Sequence, residues 1–328
     1  MDRHNRRVLV WGARGFIGRH LVSSLTDDGL EVSVLARAGG RSSLPEWSGR
    51  VRWHEYTPER DNRRAFQLAT ESAAVIFNLA GSSGAVNSNQ RPEESLDANC
   101  RAQLQFLEAC SRSDNAPHVV FASSRLVYAP AGRMPVTEDG LVAPLSFYAA
   151  HKLCIEHYHR ILAGTGRMTF TICRLSNPFG PERYTADKGY GVINTLIQRA
   201  ACHLPITLFG NGSQLRDYLY IADAVEALRL CGDRSEARNT TYNVARGVSM
   251  ALRDVAAIVR ARTGAPPIEH LPWPPEHEAV ESGDFVADVS KIRRELGFVA
   301  RHTFDQGLDE MLKTLWNSNA HSRAAAAG

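Results

Sequence analysis

Short apolar runs alternate with amphipathic stretches along most of the chain. Val8-Leu9-Val10-Trp11 is an apolar run that stops at a glycine, the pattern of a buried parallel strand. Gly12-Ala13-Arg14-Gly15-Phe16-Ile17-Gly18 follows, and then an amphipathic stretch at 20–25. The order is strand, glycine turn, helix. A second apolar run at 31–36 returns at the distance of a βαβ unit. Runs at 51–54, 74–81, 118–122 and 168–174 read as the third to sixth strands. Helical periodicity falls between them, at 61–70, from Pro92 to Cys110 and at 146–163. The expected fold is α/β, a doubly wound parallel sheet of the Rossmann type with a smaller C-terminal α/β region over its crevice. The division expected is 1–176 for the dinucleotide-binding domain, 177–317 for a region interleaved with it, and a frayed tail at 318–328.

The glycine turn lets backbone approach a pyrophosphate, and the helix after it offers free N–H groups and the positive end of its dipole. Gly12, Arg14, Gly15, Phe16, Ile17 and Gly18 are therefore candidate cofactor contacts. The end of the second strand bears on which dinucleotide is held. A carboxylate there would bond the ribose 2′-hydroxyl and repel a 2′-phosphate. The chain instead has Arg37, with Arg41 close by and Arg14 inside the turn. Guanidinium suits phosphate, so NADP is favoured over NAD, unless Arg37 and Arg41 are solvated loop charges. Leu79-Ala80-Gly81 ends the fourth strand in small residues that leave room for a ligand. Asn99, inside the long helix, reads as bonded to backbone, with a place beside the cofactor as the alternative.

Ser123-Ser124 closes the fifth strand, and Tyr148 and Lys152 lie four apart on the next helix, on one face. An ammonium beside a phenol favours the phenolate, so this pair is expected to lower the tyrosine pKa. Such a tyrosine can take a proton from a carbinol or return one to a ketone.

Bulk properties remove other classes. With 328 residues the chain is long enough for a large α/β domain and an appended smaller region. A net charge of +3, from 38 basic and 35 acidic residues, gives no support to a nucleic-acid partner. The six cysteines form no CxxC and read as reduced thiols of a cytoplasmic protein. The apolar run after the charged N-terminus is too short for a signal peptide or membrane span. His151, Cys154, His157 and His159 share a helix, but His157 and His159 face different ways, so no metal is expected.

The motifs together resemble the nucleotide-sugar epimerase/dehydratase family of extended short-chain dehydrogenases/reductases, of the UDP-glucose 4-epimerase type. The carriers are the turn at 12–18, Asn78-Leu79-Ala80-Gly81, Ser123-Ser124 before Val127-Tyr128, Tyr148 with Lys152, Asn177-Pro178-Phe179-Gly180-Pro181, and Arg216-Asp217-Tyr218, spread over about 8–298. The resemblance implies that Ser124 holds the reacting hydroxyl, Tyr148 is the acid/base, and Lys152 binds the nicotinamide ribose. It implies substrate contacts from Ser123, Ser124, Asn177 and Arg216, the last on the diphosphate unless it pairs with an acid such as Asp223. It also implies a homodimer through helices 92–110 and 146–163.

Two positions narrow the chemistry. Relatives that eliminate water carry Asp-Glu after the serine, and decarboxylases keep the Glu, whereas this chain has Arg125-Leu126. What remains is oxidation and reduction at one carbon, and the leading expectation is epimerisation, at sugar C4, through a transient ketone. The alternatives are an NADPH-dependent reductase of an NDP-4-keto sugar and, from another class, a catalytically silent NADP-binding regulator. Near the C-terminus, Glu281-Ser282-Gly283-Asp284 departs from the family, which has an arginine before its Gly-Asp pair.

Overall fold

The computed structural model describes residues 7–38, 46–57, 61–130, 133–182 and 191–326; the side chains of Glu46 and of 318–326 lie outside this description. Strands β1 (Arg7–Trp11), β2 (Glu31–Arg37), β3 (Arg52–Tyr56), β4 (Val75–Asn78), β5 (His118–Ser124) and β6 (Thr169–Leu175) match the six expected runs, with no end shifted by more than three residues. The later strands are β7 (Asn177–Phe179), β8 (Thr207–Phe209), β9 (Leu215–Tyr220), β10 (Thr240–Val244), β11 (Ser249–Ala251) and β12 (Glu269–Leu271). The central sheet has the order β10-β6-β5-β4-β1-β2-β3, and all its pairings are parallel.

The chain winds one way from β1 to β3 and the other way from β4 to β6, so the switch point falls between β1 and β4. Ligands of such sheets bind at the carboxyl ends of the strands there. The seventh strand, β10, comes from beyond residue 177 and was not legible as a sheet member. The sequence expectation ended this sheet at its sixth strand. The two sequence regions thus share one sheet. The rest of the second region forms a three-stranded sheet, β11-β9-β7, and a β12-β8 pair.

Side-chain alternation along the strands splits the core into two layers. Val8, Val10, Val32, Val34 and Phe77 face one side, where α1 (Phe16–Asp27) packs. Leu9, Trp11, Leu35, Ile76 and Phe121 face the other, against Phe66 and Phe106. Those two rings come from α2 (Arg63–Thr70) and from the helix after Pro92. That helix is not uniform. It runs as α3 (Pro92–Leu96), a π turn (Asp97–Arg101) and α4 (Ala102–Arg112), with Asn99 inside the wide turn. A π turn inserts an extra residue into the helical ladder and often marks a site.

Next comes α5 (Phe147–Ala163), which begins at Ser146, whose hydroxyl accepts from the Ala149 N–H. In the second region lie α6 (Gly191–Ala201), α7 (Ile221–Asp233) and α8 (Leu252–Thr263). The expected frayed tail falls on the end of the last helix, Phe304–Ala326, and on residues 327–328, outside the description. No described helix is long and apolar enough to cross a membrane.

Candidate active site

Backbone geometry builds the first wall of the site. Gly12 sits at φ +92, and a Cβ there would lie 2.7 Å from the Leu79 carbonyl carbon on the neighbouring strand. A Cβ on Gly18 would lie 2.2 Å from the Gly12 oxygen. Only glycine permits this contact between turn, β4 and α1. Gly15 caps α1 without a side chain, so the cap itself supplies no acceptor to the N–H groups of the first turn. These groups, with Leu79, Ala80, Gly81, Tyr148 and Lys152, line one crevice. A cradle a side chain would fill, at the N-terminus of a twelve-residue helix, fits the diphosphate of a nicotinamide dinucleotide.

The second wall comes from β5 and α5. Lys152 is buried, and its Nζ donates to the Ala122 oxygen at 2.8 Å, 4.7 Å over the Phe121 ring and 5.8 Å from the Tyr148 ring. Burial lowers its pKa to about 8, against the opposing pull of Glu156. The Tyr148 N–H donates to the Ser88 Oγ at 2.9 Å, which fixes the start of the helix.

The expected lowering of the Tyr148 pKa is corrected here. Burial pushes the phenol up to about 12, and a hydrogen bond with Ser124 offsets part of that rise. The residue as a whole is only half-buried, so the shift belongs to its phenol end. Desolvation wins because the phenolate loses water while the Lys152 ammonium is engaged by a carbonyl.

Ser123 and Ser124 point to opposite faces of β5. The Ser124 Oγ accepts from the Leu126 N–H at 3.2 Å and reaches Tyr148. Ser123 lines the crevice, and its hydroxyl donates to the Glu156 Oε1 at 2.6 Å. Glu156 is fully buried and also takes both Arg174 Nε, at 3.0 Å, and Arg174 Nη2, at 2.8 Å. Sequence reading missed this pair. The one available signal was that Glu156 follows Lys152 by four and so shares its helix face.

Asn99 is buried. Its Nδ2 lies within hydrogen-bond distance of the Ser82 oxygen, the Ser82 Oγ and the Ser95 Oγ. A Cβ on Gly81 would lie 2.3 Å from the Asn99 Oδ1. Asn99 thus shapes the crevice loop from behind. Arg14 is half-buried in the turn and Arg37 is exposed at the end of β2. Arg41 lies outside the described residues.

The second region brings Asn177 and Arg216 together but engages both internally. The Asn177 Nδ2 donates to the Asp217 oxygen at 3.0 Å, and its Oδ1 accepts from the Arg125 Nε at 3.3 Å. Arg216 forms an ion pair with Glu281 and donates to the Gly283 oxygen at 2.7 Å. The acid expected as its alternative partner, Asp223, instead accepts from the N–H groups of Arg301 and His302 and bonds the His302 ring. Arg125 is 8% exposed and points into this cluster. Among the described residues, no group of His, Cys, Asp and Glu is arranged to hold a metal.

A dinucleotide crevice at the switch point of a parallel sheet, with Ser, Tyr and Lys converging at one end, defines a nicotinamide-dependent oxidoreductase type of site. The profile of the NAD dependent epimerase/dehydratase family matches residues 8–245, so the chain belongs to that family of extended short-chain dehydrogenases/reductases. Its members are enzymes that depend on a nicotinamide cofactor. The chain is 24% identical to the dTDP-4-dehydro-6-deoxyglucose reductase of Escherichia coli, over 96% of this chain and 99% of that one. It is 26% identical to the UDP-glucose 4-epimerase of Azospirillum brasilense, over 90% and 88%. The solved structure of MoeE5 in complex with UDP-glucuronic acid and NAD superposes with a TM-score of 0.83 at 28% identity, covering 95% of this chain and 99% of that one.

Proposed function

We propose that the protein is a nucleotide-sugar epimerase that inverts C4 through a transient 4-keto sugar, with NADP favoured over NAD in the crevice. The observation that carries this reading is the convergence of Ser124, Tyr148 and Lys152 beside the glycine cradle, with Arg125-Leu126 after the serine where eliminating relatives carry acids. Without a carboxylate there, the chain's own groups move one proton at one carbon. Ser124 holds the carbinol oxygen, and Tyr148 takes its proton and later gives it back. The bound nicotinamide supplies the acceptor and donor of hydride. Lys152 holds the ribose and lends positive charge to the phenolate. A lone phenolate and a lone ammonium are each disfavoured by this burial, and formed together they stabilise one another. Arg14 and Arg37 support NADP through their fit to a 2′-phosphate.

A second reading is an NADPH-dependent reductase of an NDP-4-keto sugar. The same arginines favour it, as does the likeness to a keto-sugar reductase. Stoichiometry separates the two. Interconversion of two sugars with no added cofactor supports the epimerase. Steady consumption of NADPH with a keto sugar, and no interconversion, replaces it with the reductase. Mass spectrometry of small molecules released from the purified protein identifies the dinucleotide. Leu96, Leu104 and Phe147 leave apolar surface on helices α3 to α5, which supports a homodimer through these helices.

A further inference from the structure

We propose that Arg125 selects the substrate by receiving a carboxylate carried on the sugar beside the reacting carbon, so that the preferred substrates are NDP-uronic acids or other carboxylated NDP-sugars. This rests on the nucleotide-sugar reading above and deepens it.

The main chain fixes where Arg125 starts. It directly follows Ser124, in a short 3-10 turn (Arg125–Val127) capped by the Ser124 hydroxyl. Its side chain leaves this point for the second region. There the Nε donates to the Asn177 Oδ1 at 3.3 Å, the Nη1 donates to the Ser282 Oγ at 2.9 Å, and the guanidinium lies 5.3 Å over the Phe285 ring. All three partners are neutral. A guanidinium has five N–H donors. Two are used, and the other three have no partner among the described residues.

The surrounding charges are already committed. Glu281 forms its ion pair with Arg216, not with Arg125. Asp217 spends its oxygens on the N–H groups of Arg246, Gly247 and Ala287. Burial lowers the Arg125 pKa to about 9, the like charge of Arg216 adds to the fall, and the more distant Glu281 and Asp217 oppose it without bonding it, which leaves Arg125 protonated at neutral pH. The buried Tyr218 hydroxyl, within electrostatic reach of both arginines, has no hydrogen-bond partner among the described residues. A buried guanidinium with neutral partners and spare donors is costly, and an arriving oxyanion removes that cost.

The anion's source follows from position. Arg216 is the residue that by resemblance meets the diphosphate. Arg125 begins one residue from the serine that holds the reacting hydroxyl. In a uronic acid the carboxyl carbon is two bonds from C4. A carboxylate there and a hydroxyl on Ser124 are reached by adjacent residues.

Calorimetry on the purified protein at neutral pH, with UDP-glucuronate, UDP-glucose and UDP as probes, tests this. The wild type should bind UDP-glucuronate about thirtyfold or more tighter than UDP-glucose, the size expected for a desolvated charge pair. Arg125→Gln should erase that gap and leave UDP and UDP-glucose within about threefold of wild type, since a rim of unchanged contacts remains. Absence of the gap in the wild type overturns the proposal without reference to any variant. Equal losses for all three probes in the variant overturn it too, and assign Arg125 to the diphosphate. Turnover is followed separately. A binding gap with no sugar interconversion sinks the epimerase reading alone, and interconversion with no gap sinks this proposal alone.

Discussion

Arg174 and Arg125 are two buried arginines on adjacent chain segments, and they meet opposite environments. Arg174 ends β6, opposite Ser123 in the sheet register. Glu156 grips it with both oxygens, the Glu138 oxygen takes its Nη1 at 2.9 Å, and the Tyr128 ring lies 4.8 Å from it. Its pKa is raised despite burial. Arg125 bonds neutral groups only, with Glu281 and Asp217 acting on it from further off, and its pKa falls. The same desolvation acts on both, and the paired carboxylate decides the sign. A saturated buried arginine holds a structure together. One left with spare donors beside a reactive group is available to a ligand.

That contrast breaks if the two arginines respond alike to removal. Arg174→Leu strips buried Glu156 of its two short contacts with a cation and leaves it only the half-exposed Arg160, 3.4 Å away, so it should destabilise the protein by about 3 kcal/mol, read from the denaturation midpoint. Replacing both partners, Glu156→Leu with Arg174→Leu, should cost less than the sum of the singles, because no orphan charge remains. Purely additive losses would mean that the pair is not coupled.

A pH series sharpens the view of the same helix. His159 on α5 is fully buried, its Nδ1 bonds the Ile155 oxygen at 2.8 Å, its Nε2 has no partner among the described residues, and its pKa is lowered to about 4 by desolvation. The unfolded chain therefore binds this proton first as pH falls. The stabilising share is full above about pH 6.5 and is lost downward, by about 3 kcal/mol at pH 4. His159 stacks on Phe121 and meets Phe170 edge-on, and His159→Phe should remove that share of the acid slope. An unchanged slope would rule out His159 as its source. The smallest effect belongs to Arg125→Leu, whose unfolding free energy should move by less than about 1 kcal/mol, since no partner charge is stranded. A loss as large as that of Arg174→Leu would make Arg125 a structural residue.

The part of the site made from local sequence was legible. The glycine turn announces itself because strand and helix flank it, and Tyr148 with Lys152 because four residues is one helical turn. What stayed hidden depends on long-range packing. Nothing near Arg125 in sequence says that its side chain is buried, and Asn177 and Ser282 reach it only through the fold. Glu281 stood out as a departure, yet its partner is Arg216, 65 residues away, while the nearer Asp223 caps another segment. The π turn at Asp97–Arg101 follows no periodic signal. The Tyr148 phenol was expected to fall in pKa from its neighbour's charge alone, and burial, which sequence does not show, reverses the direction.

In the proposed reaction hydride leaves and returns to one sugar carbon while Tyr148 takes and returns the proton of the hydroxyl on it. Incubating the purified protein, without added cofactor, with UDP-glucuronate and UDP-glucose deuterated at C4 tests it directly by NMR and mass spectrometry. The account predicts C4 epimers that keep the deuterium at C4, and Tyr148→Phe should slow their formation by about a hundredfold or more. Loss of the label to solvent, or an undiminished rate in Tyr148→Phe, would contradict it.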